Sequence, residues 1–246
     1  MNKIAYIIFC LIGSVLFYSC SHAPENEAII TGKLNDGKGE KLVLTELDTK
    51  IVKRIDSVIC DAGGSFRFRV KLPEPGFYML HALSRKVLVL MLHPGDTVKV
   101  SGSFSSFPDH VMIEGPDETR WLADFFRFTR GQERKVDSLE MLLVEKQDSS
   151  GYFELTEKLD TVFKSIWERQ REEEKRFIDQ HPNSMASLIV LNYAFGLNTV
   201  LNPDDDFPWF EKLDSALTLS YPENKHVKYH HQRMLEIKKK RSRIFL

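Results

Sequence analysis

The chain has 246 residues, of which 42% are hydrophobic and 28% charged, and its net charge is −1 at pH 7. This balance excludes a chain too poor in apolar side chains to fold, and it excludes a protein drawn to nucleic acid by a basic excess. The three cysteines, Cys10, Cys20 and Cys60, are too few for a disulfide framework.

The first predicted element is an export signal. Lys3 supplies a positive start, residues 4–18 are apolar except for Gly13 and Ser14, and small Ser19 precedes Cys20. A membrane-crossing helix needs roughly 17 to 25 apolar residues, so this shorter span reads as a cleaved signal peptide covering residues 1–19. The ending Leu16-Phe17-Tyr18-Ser19-Cys20 resembles a bacterial lipobox. That resemblance implies lipidation of Cys20 and a short lipidated linker at residues 20–26; the competing reading is ordinary secretion with cleavage near residues 21–23. Removing residues 1–19 takes away one lysine and no acid, which moves the net charge from −1 to −2. The acylated chain then keeps one free thiol, Cys60, so disulfide exchange by a dithiol pair within this chain is excluded.

From residue 28 to about 115 the hydrophobic period is two, with turn residues every eight to twelve positions, as in an antiparallel sandwich or barrel. In Ser65 to Lys71, Phe66, Phe68 and Val70 fall on one face and Arg67, Arg69 and Lys71 on the other. Asp61-Ala62-Gly63-Gly64 and Pro73-Glu74-Pro75-Gly76 bracket it with turn chemistry. Further strands are expected around Leu42 and Leu44 and over residues 51–59, 77–83, 87–92, 97–101 and 110–114. Residues 87–92 are apolar at every position, which predicts a strand covered on both faces and central in its sheet.

Beyond Gly115 the period becomes helical. Pro116 suits a first helical position, with Asp117 and Glu118 in the favourable first turn and Trp121, Leu122, Phe125 and Phe126 at helix spacing. A second helix is expected over residues 153–180. Its stripe of Leu155, Leu159, Val162, Phe163, Ile166 and Trp167 is read as core, and its charged face ends in residues 171–176. Pro182 stops it, Asn183 or Ser184 caps a third helix over residues 185–195, and Pro203, Pro208 and Pro222 divide the rest into two shorter helices. The predicted fold class is α+β: an antiparallel β-sandwich of seven or eight strands over residues 27–115, followed by an all-helical region over 116–246.

Several stretches carry a family resemblance: Ile29-Ile30-Thr31-Gly32-Lys33-Leu34, Gly64-Ser65-Phe66-Arg67-Phe68, Pro75-Gly76-Phe77-Tyr78 and above all Leu92-His93-Pro94-Gly95-Asp96-Thr97-Val98. Together they resemble the domain of unknown function that precedes the thioredoxin-like domain in Bacteroidetes lipoprotein thiol:disulfide interchange proteins. Phe177-Ile178-Asp179-Gln180-His181-Pro182-Asn183 is similar to that family's linker region. The resemblance implies the fold, export to the cell envelope and a thioredoxin-like or other envelope partner. The family's Cys-x-x-Cys matches no residues of this chain, so its oxidoreductase activity carries over to none of them. The expectation is a lipid-anchored, non-catalytic binding module on the periplasmic side of the outer membrane, with no cofactor and no nucleic-acid partner. The alternative is the N-terminal portion of an oxidoreductase whose catalytic domain is missing or supplied by another chain.

Other candidate residues have bland readings. His226 and His230 have the i, i+4 spacing of a metal pair, yet with His231 they are expected to be solvated surface side chains. Asp204-Asp205-Asp206 is expected to be an acidic loop at a helix start, and Cys60 a packed thiol at a strand end. His93 and Asp96 are assigned to a tight turn. Lys238-Lys239-Lys240-Arg241 and Arg243 are read as cations in a last helical turn. No catalytic, cofactor or metal residues are assigned.

Overall fold

The computed structural model describes residues 25–83, 86–196 and 198–244. The expected signal and the expected lipidation site Cys20 lie outside the described residues. Eight strands come first: β1 (Glu27–Leu34), β2 (Lys41–Leu47), β3 (Val52–Ile59), β4 (Ser65–Lys71), β5 (Gly76–Leu83), β6 (Lys86–Leu92), β7 (Thr97–Gly102) and β8 (Met112–Glu114). They form two four-stranded sheets in the orders β4-β1-β7-β8 and β3-β2-β5-β6. Ile30, Phe68 and Val98 from the first sheet meet Leu44, Leu80 and Leu90 from the second in one buried core. Pairing within the two sheets is antiparallel except between β1 and β7, which run parallel.

Local chemistry explains the strands. In β4 the three apolar side chains are buried while Arg67, Arg69 and Lys71 are exposed, as the period of two requires. The preceding turn needs Gly64: its φ is +78°, and a Cβ there would lie 2.0 Å from the Leu34 carbonyl oxygen. Strand β6 corrects one expectation. It is covered on both faces, with Leu88, Leu90 and Leu92 in the sandwich core and Met91 in a second core, but it lies at the edge of its sheet. A helix, rather than a neighbouring strand, provides the additional cover.

The second core is built by the helices α1 (Asp117–Lys146), α2 (Tyr152–Gln180), α3 (Ala186–Leu191), α4 (Phe207–Ser220) and α5 (Lys225–Ile244). Leu122 and Phe125 of α1, Phe177 and Ile178 of α2, Leu213 of α4 and Met234 of α5 pack with Phe77 and Met91 from the outer face of the second sheet. The second sheet is thus a middle layer between the first sheet and the helices.

Three details depart from the sequence reading. Pro116 is the residue before the first helix rather than its first turn. The third helix ends at Leu191, and the chain then forms a small hairpin, β9 (Ala194–Phe195) with β10 (Asn198–Thr199). The Asn192 amide donates back to the Leu188 carbonyl at 2.8 Å and competes with helix continuation. The α2 stripe is also only partly core: Ile166 is buried, whereas Val162 and Phe163 are exposed, as are Phe153 in the first turn of α2 and Met141 and Val144 in the second half of α1.

Candidate functional site

Two sets of polar residues occupy the seam between sandwich and helices. The first grows from the turn after β6. Gly95 has φ +92°, which permits the tight reversal, and Asp96 accepts the His93 backbone N–H at 2.7 Å. The His93 ring is hydrogen-bonded to Glu118 at the start of α1, and Ser184, before α3, donates to the other Glu118 oxygen. The Ser184 hydroxyl also accepts the Ala186 backbone N–H at 3.1 Å, but from one residue ahead of the capping position: the N-cap of α3 is Met185, which has no side-chain cap. The Glu118 hydrogen bond raises the His93 pKa. Burial pushes the Glu118 carboxyl up, but the His93 and Ser184 bonds outweigh it and its pKa falls. The order Ser–Glu–His places the carboxylate between the other two groups, so His93 does not accept the Ser184 proton as a nucleophile's base would. The trio clamps the sandwich turn to two helices.

The second set lines a cavity of about 380 Å³. Leu47, Asp48 and Thr49 at the end of β2, Phe77 of β5, Leu188 and Ile189 of α3, the segment 192–194, and His226, Tyr229, His230 and Arg233 of α5 form its walls. Helix α5 is positioned by its start. The Asn224 side-chain oxygen accepts the backbone N–H of His226 at 2.9 Å, and its amide donates to the Pro75 carbonyl at 2.8 Å. Lys225 is ion-paired with Glu46 and lies 3.3 Å from Asp48. With that register, His226, Val227, His230 and Met234 share the buried stripe of α5.

Both histidines depart from expectation here. His226 is 8% and His230 4% exposed, and the Nε2 atom of each is buried with no hydrogen-bond partner. Burial, helped at His226 by Lys225, lowers both imidazole pKa values to about 4, so both rings are neutral at pH 7. His230 is hydrogen-bonded to the Phe210 carbonyl. Because its Nε2 is partnerless, the donor is Nδ1–H, which leaves a lone pair on Nε2. The His226 ring meets Phe77 edge to face at 4.8 Å. His231, by contrast, is half-exposed and bonded to Asp214 at 2.9 Å.

Larger grooves exist along α1 and α2, of about 730 and 880 Å³. Neither is lined by a buried side chain with a partnerless polar atom, so the junction pocket is the better candidate for a ligand.

The remaining candidates are structural. Cys60 is buried, and burial followed by Asp61 pushes its thiol pKa up, which suits a packed side chain rather than a reactive one. Asp206 is not a solvated loop residue: its side chain is fully buried and paired with Arg171 at 2.6 Å and Lys175 at 2.7 Å. Those two cations, with buried Glu174, show that the charged stretch 171–176 turns partly inward. In the basic run, Lys238 meets Glu211 at 3.0 Å, and Arg241 donates to the Pro203 and Asp204 carbonyls at 3.0 Å. The sequence revealed neither the Glu118 bridge nor the burial of the His226 and His230 rings at the seam. Glu118 and Ser184 are 66 positions apart, and no local pattern links them.

Fold and site together define a β-sandwich protein backed by helices, with a small-molecule-sized pocket at the seam. Residues 28–122 match the family model of the Domain of unknown function (DUF4369). The match covers the β-sandwich, running from β1 into the start of α1. No curated protein matches the chain.

Proposed function

We propose that this chain is an exported binding module without catalysis of its own, tethered by lipid at Cys20 to the periplasmic side of the outer membrane and serving an envelope ligand or protein partner. The observation that carries the binding part is the junction pocket, where two buried imidazole nitrogens lack the partners that buried polar atoms otherwise have. The tether rests on residues 1–20, with their positive start, apolar span and small residue before cysteine. Two or three acyl chains suffice to hold it, since each buried methylene contributes about 0.8 kcal/mol. Among the described residues no helix is long and apolar enough to cross a membrane. The single described cysteine is buried with a raised pKa, a poor starting point for thiol exchange.

Mass spectrometry of the mature N-terminus tests the tether. An acylated Cys20 is the expected species, and Cys20→Ala is expected to move the protein from the membrane to the soluble fraction. A plain N-terminus near residues 21–23, or a membrane fraction unchanged by the substitution, would remove the anchor from this reading.

A further inference from the structure

We propose that His226 and His230 form a two-imidazole site for a borderline-soft divalent cation of the Zn²⁺ type, with its other coordination positions open to the junction pocket. The inference rests on reading that pocket as a binding site and names what it holds. Four observations carry it. Residues i and i+4 on a helix stand roughly 5–6 Å apart at Cβ and face the same way, the spacing by which helical histidine pairs grip zinc. Both rings line one cavity, and both Nε2 atoms are buried without a partner. His230 has its other nitrogen bonded to the Phe210 carbonyl, the outer contact that fixes the ring and tautomer of a metal-binding histidine. Finally, Asp48 lies in the same wall.

The charges around the pair decide the class of ligand. Asp48 is held by the Thr49 backbone N–H at 2.8 Å, Lys53 at 3.1 Å and Lys225 at 3.3 Å, so it adds negative potential without being free to ligate. Lys225 and Arg233 oppose it from α5; Arg233 is turned to Asn192 at 2.9 Å. Among the described residues no group of three or more His, Cys, Asp or Glu side chains is arranged to hold a metal. Two nitrogens and no carboxylate exclude calcium and magnesium, which require oxygen donors, and favour zinc, nickel or copper. With two protein ligands the ion keeps open positions, where water or a donor from a partner completes the tetrahedron.

The test is titration of the detergent-purified full-length chain with Zn²⁺ at neutral pH by calorimetry. One saturable site per chain is expected, weakened at least about tenfold in His226→Ala and in His230→Ala and unchanged in His110→Ala, whose ring is exposed. Should the alanine variants fold poorly, X-ray absorption of the Zn²⁺-loaded natural chain answers the same question. Imidazole nitrogens in the first shell support the site, and a shell without them overturns it. Absence of saturable uptake, or uptake indifferent to both substitutions, also overturns it. Those failures would leave the tethered module standing, because it is decided separately by the state of Cys20.

Discussion

Glu174 has no exposed surface, and its neighbours are as much polar as charged. The Gln170 amide donates to one of its oxygens at 3.1 Å and also lies 3.1 Å from the Thr129 hydroxyl, while the other Glu174 oxygen is partnerless. Burial, aided by the nearby Asp206 charge and resisted by Gln170, pushes its pKa up to about 8. The sign follows from linkage. Above the unfolded value of 4.5 the unfolded chain loses the proton that the folded chain keeps, so stability falls as pH rises from 4.5 towards 8. Urea unfolding of Glu174→Gln should show a smaller loss across that window than the natural chain, the difference reaching on the order of a few kcal/mol. Parallel pH curves would mean that the carboxyl is ionised in place. Nothing in Glu172-Glu173-Glu174-Lys175 distinguishes the buried acid from its solvated neighbours. The same blindness hid the imidazoles of His226 and His230: a residue's type and spacing do not reveal which neighbours will remove its water.

At the level of elements, the helical stripes divide into a half that packs and a half that does not. Phe125 is 2% exposed and meets Phe126, Phe177 and Tyr193 edge to face at 5.4–5.8 Å. Phe153, in the first turn of α2, is 74% exposed. Phe125→Ala is expected to cost about 3–5 kcal/mol in chemical unfolding, and Phe153→Ser to stay within about 0.5 kcal/mol. Comparable losses from both would show that the far ends of α1 and α2 are covered in solution. Helical spacing was enough to find the start of α1 and both ends of α2 to within a residue or so. It could not say how far along each helix packing neighbours would reach, because amphipathic spacing describes a face and burial depends on what stands opposite. β6 makes the same point: its unbroken apolar run announced two covered faces, but the cover came from a helix and the strand stayed at the edge.

Across the whole molecule, the middle sheet belongs to both cores, since Leu80 and Leu90 point one way and Phe77 and Met91 the other. Sandwich and helices are therefore expected to unfold together. All three tryptophans, Trp121, Trp167 and Trp209, lie in helices, so their fluorescence reports the helical layer, while far-UV circular dichroism reports sheets and helices together. Coincident transitions are the expected result; an earlier fluorescence transition would mean that the helical layer detaches as a separate unit. The sequence by itself determined the order of the eight sandwich strands and the helices after them, the turn glycines and the segment related to a known domain, because period, caps and backbone freedom act over a few neighbouring residues. Only the tertiary structure decided that β1 and β7 run parallel, that Glu118 ties His93 to Ser184, and that two histidines lining a pocket have buried Nε2 atoms without partners. Those outcomes join residues far apart in the chain, and desolvation, which sets their chemistry, exists only once the layers have closed.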